Sequence, residues 1–176
     1  MSKNTFEIKI LNFHWIKEDD GQDLCLHGNV FVKIGDEIII DADTLDVTLS
    51  SAALHLMRAL KQNYKPDDYS SQLFPHCGHF IIADDEKDCV DILGCPTGID
   101  WTIVHLKDNK VKLITESGQE IIIEEKLFQK IVLDFADQVE NFYKSSIPRI
   151  IPTDEFEKMG YLTFWKEWRY LREEWK

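Results

Sequence analysis

Cys77, His79, Cys89 and Cys95, with His76 beside them and His105 further along, are the densest grouping of metal-ligating and nucleophilic side chains in this 176-residue chain. On a strand, Cys77 and His79 point to one face, and an antiparallel neighbour brings Cys89 opposite, so a zinc site can be drawn. The spacing argues against it. Structural zinc sites favour close cysteine pairs, whereas a predicted strand separates Cys89 from Cys95. Reduced, structural thiols with a backbone-satisfied histidine are the expected state, with no metal and no cofactor. His76 flanks Cys77, but strand neighbours point away from each other, which disfavours a cysteine nucleophile with an adjacent base. The chain has no G-x-S-x-G elbow, phosphate-binding glycine loop or H-E-x-x-H helix, so it is not expected to be an enzyme. Asp41, Asp43 and Asp46 lack the glycine and terminal glutamate of a calcium loop and are expected to form a solvated turn.

What the sequence does carry is charge. Thirty-two acidic residues stand against twenty basic ones, a formal charge of −12. Two stretches concentrate the excess: Lys17 to Asp46, and Asp84 to Asp100, where Lys87 is the only base. A phosphate backbone needs a basic stripe, and the last helix, which holds Lys166, Arg169 and Arg172, also holds Glu167, Glu173 and Glu174. Nucleic acid is therefore not an expected partner. No apolar run approaches the roughly 20 residues that span a bilayer, and no signal peptide is recognisable, so no membrane partner and a cytoplasmic location are expected. An acidic folded protein of this kind attracts something positive.

The positioning elements follow from periodicity. With 44% hydrophobic residues, the chain is expected to fold as one domain over residues 1–176. Period-two alternation predicts strands over Thr5–Ile16, Leu24–Ile34 and Glu37–Asp41, then a helix capped by Ser50 or Ser51. Five short strands follow, at His79–Ala83, Cys89–Leu93, Ile99–Leu106, Val111–Thr115 and Glu120–Ile123, separated by turn-forming residues. Phe128, Val132, Phe135, Val139 and Phe142 predict a core-facing helix over Glu125–Tyr143. A last helix begins after Pro152, with Thr153 as cap and a break expected at Gly160, and carries an aromatic stripe of Tyr161, Phe164, Trp165, Trp168 and Trp175. The class is α+β: antiparallel meander sheet or sheets of about eight strands, one helix after the first three strands, and two C-terminal helices.

The least generic segment is CGHFIIADDEKDCVDILGCPTGIDWTIVH, residues 77–105. Asp84, Asp85, Glu86 and Asp88 sit on one turn, with Asp91 and Asp100 nearby, and Trp101 is a candidate packing anchor; these seven form the candidate partner-binding set, with the Glu18–Asp23 loop as its competitor. The CGH…VDI.GC..GIDW core, the acidic α+β layout and the Trp-rich tail ending in FWKEW resemble the immunity proteins of bacterial polymorphic toxin and contact-dependent growth inhibition systems. The resemblance implies a non-enzymatic inhibitor that binds a cognate toxin domain, often a cationic nuclease, and blocks it. An acidic surface suits that task because it attracts a basic domain at long range and occupies sites meant for phosphate. Two other readings stand beside it: a protein-interaction module unrelated to toxins, whose acidity serves solubility, and a metal-dependent protein built on the cysteines and histidines.

Overall fold

Fifteen short elements arise from these patterns in the computed structural model, which describes residues 4–43, 46–66, 72–78, 80–84 and 86–175. The first sheet is antiparallel, in the order β1 (Phe6–Ile10), β3 (Val30–Ile34), β4 (Glu37–Ile40), and between β1 and β3 sits the two-residue β2 (His27–Gly28). Phe6 lies opposite Ile34 and Ile8 opposite Val32, so the apolar positions share one face. The predicted Leu24–Ile34 strand is interrupted at Asn29, because β2 leaves the first sheet to pair with β5 (Val47–Thr48).

Helix α1 (Leu49–Arg58) is the centre of the molecule. Every residue from Leu49 to Met57 is buried, so it is packed on all sides rather than along one stripe. It starts just before the predicted serine cap, and neither serine caps it. Ser50 Oγ accepts from Leu26 N–H at 3.2 Å, and Ser51 Oγ donates to the Gly78 carbonyl at 2.6 Å. Thr48, at the N-cap position, also spends its hydroxyl elsewhere: it accepts from Gly78 N–H at 2.9 Å and lies 3.3 Å from the His76 carbonyl.

The later strands form separate antiparallel pieces instead of one continuous eight-strand meander. β6 (Phe74–Pro75) pairs with β9 (Gly98–Ile99), β7 (Phe80–Asp84) pairs with β8 (Cys89–Leu93), and β10 (Thr102–Leu106), β11 (Lys110–Ile114) and β12 (Glu120–Glu124) form a three-stranded sheet. The predicted Ile99–Leu106 strand breaks at Asp100 and Trp101. There the Asp100 carboxylate accepts from Leu73 N–H, Trp101 N–H and the Tyr64 hydroxyl, taking the chain out of regular pairing.

Two long helices cover these sheets. α2 (Glu125–Ser145) buries Phe128, Val132, Phe135, Ala136 and Val139, the predicted stripe except for Phe142, which is half-buried and stacks on Phe13. α3 (Glu155–Glu173) is continuous through Gly160. A Cβ on Gly160 would lie 2.1 Å from the Ile81 carbonyl oxygen, so this glycine permits close approach to β7 and does not break the helix. The cap is Asp154, one residue after the predicted Thr153, and its side chain accepts from Glu157 N–H at 3.0 Å. The linker between α2 and α3 is pinned to the acidic 19–23 loop. Arg149 stacks 3.9 Å over the Trp15 ring and pairs with Asp19, while Ile150 N–H donates to the Gly21 carbonyl at 2.7 Å.

One polar contact ties three elements together inside this packing. Arg58, at the end of α1, makes a two-pronged ion pair with Glu167 of α3, at 2.7 and 2.8 Å, and both side chains are nearly buried. Arg58 also donates to the Val90 carbonyl of β8 at 2.5 Å, and Glu167 accepts from Val90 N–H at 2.9 Å. Both carboxylate oxygens of Glu167 therefore have partners that the other two elements supply. Removing one member leaves the other as an uncompensated buried charge. Glu167→Ala is expected to cost about 3–5 kcal/mol, read as a lower urea midpoint, whereas Arg58→Met with Glu167→Leu recovers most of that loss.

Candidate functional site

The seven residues of the candidate partner-binding set separate into two groups. Asp84, Glu86, Asp88 and Asp91 lie on the β7–β8 hairpin, and Asp85 is outside the described residues. Asp84 pairs with Lys87 at 3.0 Å, which holds its carboxyl below the ordinary range, and Asp88 reaches Lys166 of α3 at 2.6 Å. Glu86 and Asp91 are exposed. Asp100 and Trp101 are interior residues and belong to no surface. Trp101 is fully buried between Phe6 and Phe74, at ring distances of 6.1 and 5.7 Å. Asp100 is 7% exposed, and burial pushes its carboxyl up to about 6, against the pull of its three hydrogen-bond donors.

The competing Glu18–Asp23 loop is largely occupied with the fold. Asp19 is engaged by Arg149 and by Ile147 N–H, and Asp23 accepts from Ile16 N–H at 2.7 Å and Cys25 N–H at 3.2 Å. A further carboxylate group is assembled from residues far apart in the chain. Glu37 of β4 and Glu116 of the β11–β12 turn line a cavity of about 180 Å³ with Asp100 and Ile99. Glu37 accepts from Thr115 and Ser117, both at 2.7 Å, so this side chain too is structurally engaged.

The hairpin offers more than charge. Phe80 and Leu93 are direct cross-strand partners at its open end, and both are exposed, at 47% and 38%. Phe156 at the start of α3 is 50% exposed, and its ring lies 5.8 Å from that of Phe80. Phe80 and Phe156 also line a groove of about 500 Å³ that runs beneath them past Ile16, Cys25, His27 and Tyr161. The Cys25 thiol there is inert, pushed up to about 12 by burial. One ribbon thus presents an apolar end and an acidic turn. The alternation of β8 turns Val90 and Ile92 inward and Asp91 and Leu93 outward, while the peptide groups of Val90 are taken by Arg58 and Glu167. The aromatic tail contributes less: Trp168 is buried, and Trp165 and Trp175 are half-buried.

The cysteines and histidines regroup. His79 is outside the described residues, Cys89 lies on β8, and His105 is held by the Ala59 carbonyl at 2.8 Å. The structure brings together His76, Cys77 and Cys95 instead, with their ligand atoms all within 4.8 Å of one another. Cys95 N–H donates to Cys77 Sγ at 3.0 Å, Thr97 Oγ1 donates to Cys95 Sγ at 3.1 Å, and His76 Nδ1 stands 3.6 Å from Cys95 Sγ. Interaction with Cys77, Thr97 and His76 lowers the Cys95 thiol to about 6, whereas the Cys77 thiol is raised. Compared with protein-family models, curated proteins and solved structures, the chain gives no match.

Two measurements check this geometry. Asp100 is neutral-favouring in the folded chain, so the stability its neutral form contributes is present below pH 4 and lost as pH rises through about 6. Asp100→Asn removes that loss, and the stability of the variant relative to the parent is expected to rise by about 2 kcal/mol between pH 4 and 7, allowing for partial access of water. In the reduced, chelator-treated chain, iodoacetamide is expected to label Cys95 before Cys77 and Cys89 and to label Cys25 last, as mapped by peptide mass. Labelling of Cys25 ahead of Cys95 contradicts the arrangement.

Proposed function

We propose that this protein is a non-catalytic binding protein that docks a basic protein domain on the β7–β8 hairpin and the start of α3, acting as an immunity protein toward a cognate toxin domain. One observation carries the reading: the exposed Phe80 and Leu93, with Phe156 of α3 beside them, sit on the same ribbon as the exposed carboxylates Glu86 and Asp91. An apolar centre with a charged margin is the anatomy of a specific protein interface, in which the apolar residues supply burial and the charges supply orientation and association rate. The sign of the partner follows from the chain as a whole. With 32 acids and 20 Lys and Arg residues, at least 12 carboxylates have no basic side chain of their own to pair with. A nuclease domain shaped to hold phosphate presents the complementary charge. In this reading the protein acts in the cytoplasm, where such a toxin meets its substrate.

The test is co-expression and direct binding with the C-terminal domain of the protein encoded by the adjacent upstream gene. Protection of cells and tight binding that weakens with salt are expected. Glu86→Lys with Asp91→Lys is expected to slow association by about tenfold or more at low salt, while Phe80→Asp accelerates dissociation. Binding that none of these changes weakens places the interface elsewhere, and no protection with no binding rejects the toxin reading.

A further inference from the structure

We infer that His76, Cys77 and Cys95 form a zinc site with three protein ligands. The ligands come from two loops, one following β6 and one joining β8 to β9, which the fold brings side by side. Zinc binds sulfur at about 2.3 Å and imidazole nitrogen at about 2.0–2.1 Å, so a tetrahedral angle places the two ligand atoms about 3.6 Å apart. Cys95 Sγ and His76 Nδ1 are 3.6 Å apart. Two sulfurs and one imidazole suit a borderline-soft ion and give a poor home to calcium or magnesium, which take oxygen ligands.

The surroundings prepare the ligands. The Cys95 N–H aimed at Cys77 Sγ and the Thr97 hydroxyl aimed at Cys95 Sγ are donors that stabilise thiolates, the form a metal requires. Both loops are fixed by contacts independent of any ion. His76 N–H donates to the Thr97 carbonyl at 3.1 Å, and Gly78 is held on both its polar groups, by Thr48 and Ser51. At Gly94 an added Cβ would lie 1.6 Å from the Cys77 carbonyl oxygen, so only glycine lets the Cys95 loop come this close. These contacts already order the backbone that carries the ligands, which lowers the entropy that metal binding must remove. All three ligand residues are half-buried, which leaves the fourth coordination position to water.

The site is tested with the full-length, untagged chain, reduced and stripped of metal, then titrated with Co²⁺ alone. Uptake of one ion per chain is expected, with a thiolate-to-cobalt charge-transfer band and the visible bands of tetrahedral cobalt, both abolished by Zn²⁺. Cys77→Ser, Cys95→Ser and His76→Gln are each expected to weaken uptake by about tenfold to a hundredfold or more, and Cys89→Ser to leave it unchanged. Because a ligand variant can lose its fold, the parent chain supplies a second readout. Zn²⁺ is expected to protect Cys77 and Cys95 from iodoacetamide and to leave Cys89 labelling unaltered. No band from the reduced parent, a band that persists when both Cys77 and Cys95 are serine, or equal labelling with and without Zn²⁺ overturns the assignment.

Discussion

The Arg58–Glu167 ion pair is the constraint on which the arrangement depends. The sheets are small, two or three strands each, and none is large enough to dictate where its neighbours lie. Apolar packing alone tolerates small slides of a helix over such surfaces, since it rewards buried area and is nearly indifferent to direction. A bidentate guanidinium–carboxylate pair is directional, and when nearly buried it admits one geometry. Because both partners also bond the peptide of Val90, the pair sets the positions of α1, α3 and β8 together. The β7–β8 ribbon, with everything it displays, is oriented by that contact and by the close approach of Gly160 to Ile81.

The local elements were readable in the sequence wherever a single period dominates. α2 begins at Glu125 as the apolar spacing requires, and β8 matches the predicted Cys89–Leu93 strand residue for residue. What was not readable depended on partners distant in sequence. Glu167 looks like one charge among several on a mixed helix, and Arg58, 109 residues earlier, together with the Val90 peptide explains its burial. The sequence groups Asp100 with the acidic turn by proximity, yet Tyr64 and Leu73 satisfy it in the interior. Its neighbour Trp101, as a large aromatic on a strand, suits either a buried core position or a packing anchor, and the break in the strand places it in the core.

The cysteine cluster shows a different limit. On a strand, His76 and Cys77 would point to opposite faces. These two residues follow β6 and precede β7, in irregular backbone where alternation does not apply, and both face Cys95. Strand alternation favours Cys89 as their partner, and Cys89 does lie on a strand but outside the His76, Cys77 and Cys95 cluster. Strand rules located the residues near each other in sequence and failed on which of them converge, because the loops decide that.

The order in which the chain is made gives the buried ion pair a temporal meaning. Arg58 leaves the ribosome 109 residues ahead of the carboxylate that neutralises it, a delay of roughly 5 to 20 seconds at ordinary rates of synthesis. During that interval α1, the most apolar helix of the molecule, holds a cation at its end that has no place in a closed core. A nascent chain in this condition is disfavoured from collapsing early around α1. The core around α1 can therefore close with its cation compensated only after α3 has been made.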